Sequence, residues 1–366
     1  MNAMRLYNKV VNAMSIGRKA VVLKDISRID PISKSTREIL ISIYYPSEPL
    51  DNKPKYTTLF EPCVPLAVDM LCNMGVNREY ISNLETGVFN NARINMTTKN
   101  CPILFISPAF GVVRDMYSFC VEHLVKNGFV VITIGASHES IFSTFPDGRF
   151  IQQSQEISEI DSVDIKYWKE LLELRVEDIR YVLSNVEEAL DSVRGLRTIV
   201  DINTMGIMGH SLGGAAAYEV LKGDKRVKAC SMLDPSFHLI MVNTDERGSA
   251  PLLVVRQEKC TSEELGNEVS QELLPLLLKG FNNLHKSSPV NSAFIKLHGA
   301  DHMTFSDIPI HYEDNGIELK HSIINMYICA FFDEHLKKKE YVFHELMTTK
   351  PNDGIDEINS NGMRFR

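Results

Sequence analysis

Gly209-His210-Ser211-Leu212-Gly213 sets one serine between two glycines, the G-x-S-x-G spacing of a nucleophile elbow. The flanks suit that geometry. Gly206-Ile207-Met208-Gly209 reads as the end of a strand, and Leu212-Gly213-Gly214-Ala215-Ala216-Ala217-Tyr218-Glu219-Val220-Leu221 as the helix that follows. At such a strand-to-helix turn the serine backbone is forced to positive φ. Small residues two before and two after, Gly209 and Gly213, relieve the crowding. The chemistry on offer is acyl transfer: the hydroxyl attacks a carbonyl carbon once a neighbouring base takes its proton. The flanks disfavour the competing reading, an ordinary glycine-rich turn that packs a helix on a strand.

The base has to be a histidine oriented by an acid, and in a sheet of this kind the chain order is Ser, acid, His. After Ser211 the histidines with room for an acid between are His285, His298, His302, His311, His321 and His335. His302 is the expected base, because His298-Gly299-Ala300-Asp301-His302 forms a short turn directly after a strand over 292–297. His298 sits at the strand end itself, where a packed or surface role is expected. His335, in Asp333-Glu334-His335-Leu336-Lys337, reads as a helix-surface residue. Two carboxylates compete for the acid. Asp234 ends the strand Ser231-Met232-Leu233-Asp234 just after the elbow helix, and Glu258 follows the next strand, the commoner position. An acid at the C-terminal edge of either strand could reach the same imidazole, so position alone leaves both open.

Elements able to hold these groups recur along the chain. Runs at 38–46, 102–107, 129–134, 204–208, 227–233, 251–255 and 292–297 read as strands, most of them apolar enough to be buried on both faces. Helical periodicity covers 116–126, 165–191, 212–221, 263–285 and 319–337. Strand and helix alternating in this way predict an α/β fold, a doubly wound, mostly parallel sheet with helices on both faces. We expect one domain over 1–366, with insertions near 47–100 and 141–168 and a polar C-terminal extension at 338–366.

Composition narrows the partners. Apolar residues at 44% and charged residues at 23% exclude wholesale disorder. Lys plus Arg number 39 against 47 Asp plus Glu, a formal charge of −8, and such a field repels nucleic acid and anionic membrane surfaces. The odd number of cysteines, widely spaced and without a CxxC pair, fits neither a disulfide framework nor a zinc knuckle. No His or carboxylate cluster has metal-ligand spacing, so neither metal nor cofactor is expected. The first 25 residues hold no apolar run long enough for a secretory leader, and no run is long enough for a membrane span. The expected compartment is cytoplasmic, the expected partner small or neutral.

Beyond the elbow, Met232-Leu233-Asp234-Pro235 and Gly299-Ala300-Asp301-His302-Met303-Thr304-Phe305-Ser306-Asp307 resemble the plasma-type platelet-activating-factor acetylhydrolases and their bacterial relatives. So do Ser42-Ile43-Tyr44-Tyr45-Pro46, Leu104-Phe105-Ile106-Ser107-Pro108-Ala109-Phe110-Gly111 with Arg114 and Tyr117-Ser118, and Arg175-Val176-Glu177-Asp178-Ile179. In order, these matches span about residues 40 to 335. The resemblance implies an α/β-hydrolase fold and favours Asp234 over Glu258 as the acid. It implies an oxyanion hole of the Phe110 and Leu212 backbone N–H groups, although relatives read His-Gly where this chain has Pro108-Ala109. It also implies a serine carboxylester hydrolase acting on short-acyl or oxidised phospholipid-like or other small esters, without calcium. Alternatives are a general esterase, thioesterase or peptidase with the same triad, or a non-catalytic hydrolase-fold binding protein. Phe142, Phe145 and Trp168 are candidate walls of the substrate pocket, with a core beneath a lid as the plainer reading.

Overall fold

The structure, a computed structural model, describes residues 15–242, 248, 250–349 and 354–365. Residues 1–14, where most of the leader expectation falls, lie outside them. The chain opens on two long antiparallel strands, β1 (Ser15–Ile29) and β2 (Thr36–Ser47). Sequence patterning finds only β2 and stops it at Pro46; in fact Pro46 pairs with Ile16, near the strand end, where a missing N–H is tolerated. β1 escapes a hydrophobicity reading because Arg18, Lys19, Lys24, Asp25 and Arg28 interrupt it. Arg18 is nevertheless buried, its guanidinium 2.7 Å from the equally buried Asp115 carboxylate.

The segment after β2 carries α1 (Val64–Asn73) and β3 (Val88–Asn90), the latter added beside β1. Then come β4 (Cys101–Ser107), α2 (Ser118–Lys126) and β5 (Val130–Ile134), a parallel strand–helix–strand unit. α2 begins two residues later than its periodicity suggests. Its first free amides, Ser118 and Phe119, donate to the buried Asp307 carboxylate at 2.8 and 3.1 Å, a cap from a distant segment that no local pattern can reveal. The segment after β5 forms the hairpin β6 (Phe142–Thr144) and β7 (Phe150–Gln152). α3 (Ile165–Ser184) follows, and the expected helix to 191 breaks at Asn185.

β8 (Val200–His210), α4 (Leu212–Gly223), β9 (Val227–Leu233) and β10 (Leu252–Arg256) build the centre. The helix expected over 263–285 is two pieces, a turn at Ser262–Leu265 and α5 (Leu274–Ser287), the second started afresh by Pro275 in its first turn. β11 (Ala293–Leu297) and α6 (Ile317–Lys337) complete the alternation. The chain beyond α6 then adds α7 (Val342–Thr349) and β12 (Ile355–Glu357), while residues 350–353 and 366 lie outside the described set.

Sheet order is β12-β11-β10-β9-β8-β4-β5-β2-β1-β3, and the run from β11 to β5 is parallel throughout. Because successive side chains leave a strand on opposite faces, each central strand feeds two cores. Ile103, Phe105, Ile207 and Val254 join the layer under α3, α4 and α5. Leu104, Ile106, Met208 and Val255 join the layer under α2 and α6. The parallel direction brings the C-terminal ends of β4, β8, β9 and β11 to one edge. Among the described residues no helix is long and apolar enough to cross a membrane.

Candidate active site

Ser211 follows β8 with φ 56° and ψ −121° and begins α4. Its amide donates to the Leu233 carbonyl at 2.9 Å, and its own carbonyl accepts from Ser236 N–H at 3.0 Å, so the elbow is stitched to the end of β9. Both flanking glycines are sterically required. A methyl group at Gly209 would lie 2.0 Å from the Gly213 carbonyl oxygen, and one at Gly213 would lie 2.2 Å from the Ser107 oxygen. The helix thereby comes close enough for its N-terminal amides, with their partial positive charge, to face the loop after β4. Gly213→Ala is expected to lower stability by about 1–3 kcal/mol, the usual range for overpacking. Urea denaturation checks this, and an unchanged midpoint would contradict the close approach.

Asp234, directly after β9, has φ 38°. Its Oδ2 lies 2.7 Å from His302 Nδ1, and its Oδ1 lies 3.5 Å from Arg256 Nε. Burial alone would raise the Asp234 pKa, but the hydrogen bond and charge of His302, helped by Arg256, hold it down at about 2. Burial likewise pulls His302 downward, and here the hydrogen bond and charge of Asp234 prevail, leaving its pKa above the ordinary 6.5. A base works only when unprotonated. Any reaction using His302 should therefore gain kcat/KM with rising pH, with its inflection above 6.5, and in Asp234→Asn that inflection should move to lower pH. A pH–rate profile measures both; an inflection unmoved by the substitution would contradict the pairing. The folding linkage has the opposite sense. The raised His302 pKa adds stability that is full below 6.5 and lost as pH rises through the folded value.

Glu258 does not reach the imidazole. It is exposed, and its Oε2 accepts from Gly299 N–H at 2.9 Å while its amide donates to the Ala300 carbonyl at 3.0 Å. It steadies the turn that carries His302. His298 points away to Asp356 on β12, 3.1 Å distant. His335, expected on the surface, is partly covered, its ring centroid 4.8 Å from that of Phe331.

Phe110 and Leu212 have amides without a hydrogen-bond partner among the described residues. The loop bearing Phe110 is braced on both sides. Ala109 N–H donates to the Tyr117 hydroxyl at 2.8 Å, and the buried Arg175 guanidinium donates to the Pro108 carbonyl while Glu139 holds its Nε at 2.8 Å. Trp168, on α3, meets the Phe110 ring edge-on at 4.9 Å. Phe142 and Phe145 do not line this space. Phe142 is fully buried between Phe60 and Phe150, at ring distances of 5.3 and 5.4 Å, and Phe145 is buried beneath Arg149. Large aromatic side chains from a short hairpin serve here as its core. Among the described residues no group of His, Cys, Asp and Glu could hold a metal ion.

Four residues with evident roles in this geometry carry little warning in the sequence. Arg256 is a charge ending an apolar strand, held 4.7 Å from the ring centroids of both Phe237 and Phe281. Arg175 and Tyr117 belong to matched segments without an assigned purpose, and His210 lies inside the elbow motif itself.

The sequence profile of the family described as "Platelet-activating factor acetylhydrolase, isoform II" matches residues 30–315. The chain is similar to a "Probable 1-alkyl-2-acetylglycerophosphocholine esterase" of Arthroderma benhamiae, 26% identical over 59% of this chain and 51% of the relative. It is also similar to a "Platelet-activating factor acetylhydrolase" of Cavia porcellus, 24% identical over 44% of this chain and 41% of the relative. The matches thus span about half the length of these relatives or less. Among solved structures, a ferulic acid esterase from Streptomyces cinnamoneus superposes with a TM-score of 0.72 at 22% identity, covering 94% of this chain and 96% of that one. That likeness, with the sheet described above, makes the fold an α/β-hydrolase fold.

Proposed function

The chain belongs to the platelet-activating factor acetylhydrolase, isoform II, family, and from that premise we propose that it is a serine carboxylester hydrolase working through an acyl-enzyme. The observation that carries the reading is the 2.7 Å pairing of His302 Nδ1 with Asp234, at the sheet edge where β8 ends in a serine held at φ 56°. With Nδ1–H given to the carboxylate, Nε2 is the nitrogen left to act as base. It takes the Ser211 proton as Oγ attacks the ester carbonyl carbon. The Phe110 and Leu212 N–H groups receive the resulting oxyanion. Collapse expels the alcohol, which takes the proton from His302, and water then repeats the sequence to release the acid.

The names of the relatives support an acetyl-bearing glycerophospholipid as the first substrate to test, with other short-acyl or oxidised-acyl esters beside it. The test combines fluorophosphonate labelling with turnover of glycerophospholipids of graded sn-2 chain length and of p-nitrophenyl esters, each with and without EDTA. Labelling at Ser211 with a preference for short sn-2 chains is expected. Labelling with turnover of p-nitrophenyl esters alone would indicate a general esterase. No labelling would indicate a binding protein on a hydrolase scaffold, and activity lost to EDTA would indicate a metal.

A further inference from the structure

His210 stands inside the elbow yet takes no part in the steps above. Its side chain is 0% exposed, and both ring nitrogens have partners. Nε2 lies 2.9 Å from the His302 carbonyl oxygen, and Nδ1 lies 3.2 Å from the Tyr117 hydroxyl, which also receives the Ala109 amide at 2.8 Å. Donor and acceptor chemistry fixes each proton in this row. A carbonyl only accepts, so Nε2 carries the ring proton. A backbone amide only donates, so the Tyr117 oxygen accepts from Ala109 and gives its own proton to Nδ1. The row therefore runs in one direction, from Ala109 N–H through Tyr117 and His210 to the His302 carbonyl.

Its two ends lie in the two loops that the reaction needs in fixed relation. Ala109 immediately precedes Phe110, whose amide is the proposed oxyanion donor, and His302 is the proposed base. These loops leave β4 and β11, with β8, β9 and β10 between them in the sheet. No hydrogen bond along one strand can register one loop against the other, but a side chain at the end of β8 can. Resting on the esterase reading, we propose that Tyr117 and His210 are positioning residues that hold the oxyanion amide and the base in mutual register.

Packing supports the assignment. The His210 ring lies 4.9 Å from the His302 ring at 48° and has Phe305 on its edge at 5.8 Å, so it has little freedom to turn. Burial, and then the neighbouring His302, hold the His210 pKa well below 6.5. The ring thus stays neutral and places no second positive charge beside the imidazolium that forms as Ser211 attacks. Tyr117 is equally enclosed, and burial raises its pKa well above that of a free phenol, which keeps its proton available to Nδ1.

The experiment uses Tyr117→Phe, which deletes one hydroxyl and keeps the ring, with an oxygen ester and the matching thionoester as substrates. A C=S group accepts amide hydrogen bonds poorly, so a misplaced oxyanion amide penalises the oxygen ester selectively. We expect kcat on the oxygen ester to fall about 10- to 100-fold with KM nearly unchanged, less than full loss of one oxyanion donor, and the thionoester to lose much less. Equal losses on both esters, or no loss, would overturn the proposal, since a purely structural hydroxyl would affect both alike. Should Tyr117→Phe fail to fold, two further measurements decide. Imidazole 15N shifts of the wild-type protein must show His210 protonated on Nε2, and the opposite tautomer sinks the row. His210→Gln, which keeps a donor and an acceptor, must retain more kcat than His210→Leu. A wild type that turns over no ester overturns the esterase reading together with this one, whereas an unchanged ester-to-thionoester ratio in an active variant removes the positioning role alone.

Discussion

Ser211→Ala is expected to lower kcat for a short p-nitrophenyl ester by about five to six orders of magnitude, the scale on which removal of a triad nucleophile acts. The fold should survive. Alanine is smaller than serine and meets the same backbone restriction at φ 56°, and the Ser211 hydroxyl has no hydrogen-bond partner to lose among the described residues. Far-ultraviolet circular dichroism and a urea midpoint close to wild type would establish that the loss is chemical. Normal turnover by a folded variant would remove Ser211 from the mechanism, and with it the acyl-enzyme. Residual activity well above background would instead point to the oxyanion amides and binding alone, which leave some catalysis in place when the nucleophile is gone.

Asp234→Asn and Glu258→Gln, compared side by side, should part by about four orders of magnitude in kcat. An asparagine at 234 can turn its NH2 group toward Nδ1, which then has to accept, so the ring proton moves to Nε2 and the base is lost. The same substitution leaves Arg256 beside a neutral amide, with its nearest carboxylate gone. Glu258→Gln keeps an oxygen for the Gly299 amide and should run near wild-type rates. The reverse pattern, with Glu258→Gln inactive and Asp234→Asn normal, would transfer the acid to Glu258 and leave the serine assignment standing.

How much of this could be read beforehand depends on the range of the interaction. The elbow is local: strand, serine, two glycines and helix are contiguous, so Ser211 and its flanks are legible in one line of sequence. The parallel strands are legible because burial on both faces leaves unbroken apolar runs. Asp234 and Glu258 are not separable this way, since both follow strands ending at the same edge. The family resemblance favours Asp234, and the three-dimensional pairing with Nδ1, together with Arg256 at 3.5 Å from the other oxygen, supports the same choice. β1 is hidden by its charges, and Arg18 among them is buried where Asp115, far along the chain, meets it. The pocket expectation fails for Phe142 and Phe145 for a related reason. Aromatic residues on a short hairpin look alike in sequence whether they face a substrate or their own packing, and Phe60, from the segment after β2, claims Phe142.

β12 closes what would otherwise be the β11 border of the sheet. It lies antiparallel on β11 with Ile295 opposite Glu357 and Leu297 opposite Ile355, and the Gly354 carbonyl accepts from His298 N–H at 2.8 Å. Without it, β11 would be the border of the sheet and present a row of bare amides and carbonyls to solvent, a template for another chain. A molecule clipped after α7 would therefore be a candidate for sticking to its own kind through β11, the strand that leads into His302. Its loss of activity would then depend on protein concentration, a signature that simple unfolding of a monomer lacks. A protease nick in this tail would act as a switch toward self-association as much as toward instability.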